Sequence, residues 1–452
     1  MAPLDYVAGA LEAWPLYVLL ALLFLLLHGW LIKRWAVGIF DPLALILAAN
    51  AFSWTIVWFM YLNGDIALRH LVYFVVAQLA LYAGIGMARL YLPGAVSARS
   101  AAHDANLPAL TLAMAAAVHV AATLTIWAIA GIPLFRASRL GAFHGSGGLG
   151  VLERLADSSG LIALFATVCL FACHPKSRRN IFVYTFIAWF ALSIAMSGSK
   201  GALLSSGQQV MSALFLYTGF RFRRDRFWGG RAGLIVLVLS TVFALGVLTA
   251  QQDSDLTIAA LALAYRVMSY GDVYIYAYPN ETLELLQGDN AFIGMFGGFL
   301  STFRLFPVDW LYPAMGVQFT GIVFPNLDQI SGPNPQHPVF GFHYFGHMGF
   351  LYSFLLGLLT TAAQTQLYFR QHTTFFSGML SFMAYFAVVG ISWDLEYALS
   401  NLANLVIGCL VIVVPVLLLR PRAVLLTRWR LRSATVAETS HRHGVDFDRM
   451  KS

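Results

Sequence analysis

Charged residues make up only 11% of this 452-residue chain, so the residues able to do chemistry are few and easily singled out. The cations that stand out are those set among apolar or small residues. Lys200 lies in SGSKG at 197–201, where small side chains allow close approach of backbones and headgroups. It reads either as a phosphate contact or as a lysine snorkelling to an interface. Arg136 and Arg139, in RASR, are three apart and share a face if helical. Their planar forks suit bidentate phosphate binding, against a plainer reading as solvated loop charges. Arg266 in LALAYRVMSYGD and Arg304 in FGGFLSTFRLFP stand in nearly uncharged settings. A charge at membrane depth is expensive and is normally paired or functional; for Arg266 the structural alternative is a bridge to Asp272.

Bases and acids lie further along. The stretch NPQHPVFGFHYFGHMGF, 334–350, sets His343 and His347 four apart, the spacing that puts two imidazoles on one helix face. No Glu stands between them and no third ligand is evident, so no metal is expected. A base, or a partner for a sugar hydroxyl, is the better reading for a histidine here, with a packing role as the alternative for His347. His337, between two prolines, is expected in a loop and free to meet solvent and substrate. In WDLEY, 393–397, Asp394 and Glu396 can serve as general base or as counter-ions to the arginines. HGSGG, after Arg139, lacks the Lys-Ser/Thr of a phosphate-binding loop and is given no nucleotide role. Cys169, Cys173 and Cys409 lie in or at the ends of apolar runs, with neither zinc spacing nor a disulfide framework.

What must position these residues is a set of membrane helices. Hydrophobic residues are 59% of the chain and mean hydropathy is +0.72. Apolar runs recur from end to end, each long enough to cross about 30 Å of hydrocarbon as a helix. In lipid such runs must be helical, because a free backbone amide has no other partner. The expectation is an all-α polytopic integral membrane protein with about eleven transmembrane helices. The spans are placed near 14–32, 41–62, 66–88, 107–130, 158–173, 180–197, 201–220, 232–249, 341–363, 374–392 and 399–419.

The formal charge of +7 carries no nucleic-acid signal, since its excess lies in short loops and the C-terminal tail. Lys33-Arg34, Arg89, Arg99, HPKSRR at 174–179, RFRRDR at 221–226, Arg370 and the tail mark one side as cytoplasmic. The N-terminus is then outside and the C-terminus inside. Four regions follow: spans over 1–249, a large outer loop over 250–340, spans over 341–419, and a basic tail over 420–452 suited to anionic headgroups. A loop of that length is normally functional. Its aromatics, prolines and glycines predict short interfacial helices forming a lid over the membrane.

Two pieces of the chain resemble the O-antigen polymerase family of oligosaccharide repeat-unit polymerases. One is SGSKGALL, a small-residue motif with a basic residue leading into a span. The other is GPNPQHPVFGFHYFGHMGFLYSFLLGLL, an Asn-Pro loop leading to a glycine-aromatic span entrance. The motifs cover about a tenth of the chain, and Lys200 stands where that family often has Arg, which keeps the charge and loses the fork. The resemblance implies a bacterial inner-membrane glycosyltransferase, compatible with a C-type multi-span architecture. It would join polyprenyl-pyrophosphate-linked oligosaccharides on the outer leaflet, without cofactor or metal. A flippase and a chain-length regulator are the implied partners, and no nucleic acid. Catalysis would fall to Arg266, Arg304, His337 and His343. Substrate contacts would come from Arg136, Arg139, Lys200, Tyr270, Asp272, Trp310, Asp394 and Glu396, with Tyr265 and Tyr312 as further stacking aromatics. The alternatives are an O-antigen ligase using the same donor, a polysaccharide or lipid transporter, and a structural scaffold.

Overall fold

A computed structural model describes residues 3–36, 38, 40–92, 105–135, 149–174, 180–199, 202–218, 231–252, 255–268, 271–288, 290–326, 332–370, 372 and 374–419. No strand occurs among the described residues. The helices are α1 Pro3–Glu12, α2 Trp14–Trp35, α3 Pro42–Leu62, α4 Leu68–Tyr91, α5 Asn106–Ala130, α6 Leu149–Cys173, α7 Ile181–Met196, α8 Ala202–Thr218 and α9 Arg231–Gln252. There follow α10 Leu256–Met268, α11 Val273–Ala277, α12 Ala291–Thr302, α13 Met315–Val323, α14 His337–Phe345, α15 Gly349–Ala363, α16 Phe375–Gly390, α17 Leu395–Gly408 and α18 Val414–Leu419. Single π turns, Gln364–Tyr368 and Cys409–Val413, extend α15 and join α17 to α18.

Seven of these stretches are long and apolar enough to cross a membrane: α2, α3, α4, Asn106–Phe135, Gly150–Cys173, His337–Tyr368 and Leu395–Leu419. The protein is therefore a helical membrane protein. The remaining expected segments fall on α7, α8, α9 and α16, where Ile181–Met196, Val238–Thr249 and Phe375–Gly390 are shorter apolar helices. One boundary moves in a way that matters. The span expected from 158 begins at Leu149, because Glu153, Arg154 and Asp157 are carried on the helix and not in a preceding loop.

Short polar residues start the helices where the backbone leaves amides unpaired. Asp41 accepts from Leu43 N at 3.1 Å to open α3, with Pro42 in the first turn. Asn180 does the same for α7, Thr374 and Ser377 form a capping box on α16, and Asp394 caps α17. Where α4 and α15 cross, a Cβ on Gly84 would strike the Phe354 carbonyl and one on Gly357 the Leu81 carbonyl. The two backbones are thus in direct contact, the usual device for helix association without a hydrophobic drive.

The starts of α4, α6, α14 and α17 gather at one end of the bundle beneath a roof of short helices, α11 to α13, while α10 packs on α9. These short helices are the kind expected over 250–340, but α11 does not lie over the surface. Val273, Tyr274, Ile275 and Ala277 are completely buried in a core shared with α1 to α4, α13 and α14. A five-residue helix has no stability of its own, so packing holds it. A second core joins α5, α6, α7, α8 and α16.

Toward the other end, the base, a buried polar network ties six helices. Asp41 accepts from Tyr385 Oη and Gln364 Nε2, each at 2.6 Å. Arg89 donates to Gln364 Oε1 and to the Trp35 carbonyl that ends α2. Ser212 Oγ donates to Phe40 O at 2.7 Å, and Tyr368 Oη donates to Ser212 O at 3.1 Å.

Candidate functional site

The roof end holds the polar groups that have not been used up in joining helices. Asp394 begins α17, where its Oδ1 accepts from Tyr397 N at 2.9 Å. With its amide oriented to suit both neighbours, Asn334 donates to Asp394 Oδ2 at 3.3 Å and its oxygen accepts from Trp393 Nε1 at 2.8 Å. The backbone closes the same junction, with His337 N donating to Ser392 O at 3.2 Å. The two loops singled out in the sequence, around Asn334 and around Asp394, are therefore one structural unit. Burial pushes the Asp394 carboxyl above the usual carboxylate range, opposed by the backbone amides it accepts from.

Glu396 follows on the first turn of α17, half-buried and within electrostatic reach of both Asp394 and the Tyr344 hydroxyl. Its side chain has no hydrogen bond among the described residues. Ser400 and Asn404 follow at intervals of four, so the three share one face of α17. Against that face lies Arg154 of α6. Its Nη1 donates to Ser400 Oγ and to Asn404 Oδ1, both at 2.9 Å. Both partners are neutral, and among the described residues Arg154 has no acidic partner. One nitrogen is thereby anchored while the Nη2 and Nε edge, the bidentate edge of the fork, is left for another acceptor. From Glu396 to Ser400 is about 6 Å along the helix axis. The turn of α17 that carries Glu396 is thus next to the turn that anchors the Arg154 guanidinium.

Behind Arg154, His119 of α5 is buried; its Nδ1 is 2.9 Å from Ala156 O and its Nε2 3.4 Å from Ser193 Oγ. This brings the last turns of α7, which lead into SGSKG, against α6. Lys200 itself, with Arg136, Arg139 and Tyr270, lies outside the described residues. Arg266 is on α10 but its side chain is not described, so its expected bridge to Asp272 is not described either. Asp272 is half-buried and its carbonyl accepts from Ile275 N at 2.8 Å to start α11.

Several expectations change on contact with the fold. Arg304 is exposed and stands at φ 57, with Arg304 N donating to Ser301 O at 2.9 Å and Leu305 N to Leu300 O at 3.0 Å. That is a Schellman ending with Arg304 in the place glycine usually takes. Its setting is a helix terminus, where a cation also suits the dipole. His337 is not in an open loop. It is the first residue of α14, 1% exposed, with Nδ1 2.8 Å from Ser353 Oγ of α15. Pro338 explains this, since its fixed φ starts the helix and draws His337 into the core. His343 and His347 do not share a helix face, because α14 ends at Phe345 and Gly346 turns the chain at φ 54. His347 is exposed, and His343 Nε2 donates to Gly288 O at 2.7 Å. Trp310 is 63% exposed with its ring edge-on to Phe306.

Sequence reading overlooked Arg154, Ser400 and Asn404. The signal available was the four-residue spacing of Glu396, Ser400 and Asn404 in a largely apolar helix, a polar stripe that asks for a polar partner. The roof is fastened across this end by Arg69 of α4, 2.6 Å from Glu281 and 3.2 Å from Glu284, and by His70 stacked on Tyr278 at 5.1 Å. The described residues hold no group of three or more metal-ligating side chains.

Comparison with protein-family models, curated proteins and solved structures returns no match. Fold and site together define a class: a multi-helical integral membrane protein with a roofed polar site at one end of the bundle.

Proposed function

We propose that this protein is a membrane glycosyltransferase that joins polyprenyl-pyrophosphate-linked oligosaccharide units, a polymerase of lipid-linked repeat units in the bacterial inner membrane. The observation that carries the reading is Arg154. It is a guanidinium inside a membrane helix, held by two neutral side chains, with its fork un-neutralised. Such a group suits a polyanion delivered from the lipid phase, and a pyrophosphate leaving group is one. Charge that builds on the pyrophosphate as the glycosidic carbon–oxygen bond breaks is stabilised by a preorganised cation. Glu396, one turn away and without a hydrogen-bond partner of its own, takes the proton of the attacking sugar hydroxyl. Asp394 is committed to capping α17 and to Asn334, so it positions Glu396 and does not itself take the proton.

In this reading the roof end faces outward, with the N-terminus outside and the C-terminus cytoplasmic. A flippase supplies the substrate and a chain-length regulator works on the product. The test is a glycan ladder from cells lacking the gene. A single capped repeat unit in place of the ladder supports polymerisation, and re-expressed Arg154→Ala is then expected not to restore the ladder. Free lipid-linked polymer of normal length, with none transferred to its acceptor, makes the protein a ligase on the same donor. An unchanged glycan profile ends the glycosyl-transfer reading.

A further inference from the structure

Two cavities stand out in the bundle, and their chemistry differs. One, of about 570 Å³, runs between α4 and α15 and is lined by side chains such as Met87, Leu355 and Leu359, which offer nothing but hydrocarbon contact. The other, of about 410 Å³, opens between the roof and α14 and mixes aromatic with polar walls. Its volume falls in the ordinary small-molecule range of roughly 300–1,000 Å³. Tyr312 and Phe342 supply ring faces, and Glu284 and His343 supply polar edges.

The walls of this second pocket are fixed before any ligand arrives. Gln318 of α13 accepts from Gln287 N at 2.8 Å and donates to Gln287 O at 3.3 Å and to Pro313 O at 2.8 Å. It therefore staples together the two segments that carry Gly288 and Tyr312. Gly288 stands at φ +101, and a Cβ there would lie 2.6 Å from the Tyr312 ring, so only glycine allows this approach. His343 donates from Nε2 to Gly288 O, which in the neutral ring makes Nδ1 the lone-pair side. Aromatic rings for the apolar side of a pyranose, with an imidazole acceptor and a carboxylate for its hydroxyls, form a set of groups that suits a sugar.

Tyr344, beside the pocket's His343, links the pocket toward Glu396. The Tyr344 ring lies 4.6 Å from that of His343, and its hydroxyl is in electrostatic reach of both Tyr312 and Glu396. We infer that the pocket formed by Tyr312, Phe342, His343 and Glu284 is a saccharide subsite that seats the acceptor sugar beside Glu396. This rests on the glycosyl-transfer reading above. The acceptor hydroxyl oxygen forms the new bond to the anomeric carbon of the donor. The old carbon–oxygen bond breaks with its electron pair leaving on pyrophosphate, and the hydroxyl proton passes to the Glu396 carboxylate.

The probe is the oligosaccharide repeat unit of the host's own surface glycan, freed of lipid by mild acid. Its binding to the purified full chain in lipid nanodiscs is followed by saturation-transfer NMR and titration. Wild type is expected to bind saturably, and Tyr312→Ala and His343→Gln to weaken binding tenfold or more at unchanged melting temperature. The second variant serves if the first fails to fold. Arg154→Ala is expected to lose transfer yet keep the probe, which carries no pyrophosphate. Equal binding by wild type and both pocket variants overturns the subsite. So does absence of binding in a protein whose deletion still collapses the ladder, and the glycosyl-transfer reading then survives it. Pocket-dependent binding with an unchanged ladder keeps the saccharide site and overturns its acceptor role.

Discussion

The two ends of the bundle hold similar polar residues put to different uses. At the base, Asp41 is 4% exposed and receives bonds from Leu43 N, Tyr385 and Gln364, while Arg89 reaches Gln364 and the end of α2. All of these bonds except the Leu43 cap join one helix to another. At the roof end, among the described residues, Arg154 bonds through Nη1 to two neutral groups and the half-buried Glu396 side chain has no hydrogen bond. The two ends differ at their acids: Asp41 has three donors, whereas the Glu396 side chain has none among the described residues. A satisfied buried network rigidifies a fold, whereas a fixed charge without its complement is a site for a ligand of opposite charge.

This contrast predicts that roof-end substitutions act on turnover and base-end substitutions on stability. The largest effect is expected for Arg154→Ala. Transfer by the purified protein should fall about 10²–10³-fold, as when one preorganised transition-state donor is removed. Its melting temperature should hold, and Arg154→Lys should recover part of the rate, since the charge stays and the fork is lost. An Arg154→Ala protein that melts early instead would place Arg154 with the base-end network and dissolve the distinction.

Asp41→Ala should do the reverse. It leaves Tyr385 and Gln364 without their buried acceptor, at a cost of about 3 kcal/mol. The expected readout is a lower melting temperature and poor yield, with turnover per folded molecule unchanged; a full-yield, slow enzyme would contradict it.

A smaller effect concerns Asp394, whose carboxyl is raised by burial. The folded protein then holds this proton at pH values where the unfolded chain has released it. The contribution to stability is greatest below the unfolded pKa and is lost as pH rises through the folded one. Melting temperature should therefore fall across that window in wild type and flatten in Asp394→Asn, which keeps the cap. A profile of equal slope in both proteins would remove Asp394 as the titrating group.

The smallest expected effect is at Arg304. A non-glycine residue in the left-handed region costs about 1 kcal/mol, so Arg304→Gly should raise stability slightly and leave transfer intact. Lost transfer in that variant would return Arg304 to the reacting set.

The membrane class and the places of the helices were legible because lipid admits one solution for a long apolar run, and that solution is local. The caps at Asp41, Asn180 and Asp394 are local too, each acting on amides two or three residues ahead. What the sequence could not order was the relative worth of its charges. Arginines that end a helix are not told apart there from arginines that ligate. Whether such a residue ends a helix, as Arg304 does, or is gripped in an early turn by neutral partners, as Arg154 is, depends on elements far away in the chain. Ser400 and Asn404 stand some 250 positions from Arg154, and Tyr385 stands 344 from Asp41. Likewise the aromatic-rich 250–340 stretch announced short helices, but only packing sank Tyr274 and Ile275 into the core and left Trp310 in the open. Helix formation in a membrane is decided by neighbours a turn away. Burial and charge compensation are decided by whichever helix comes to lie alongside, and only the tertiary structure supplies that.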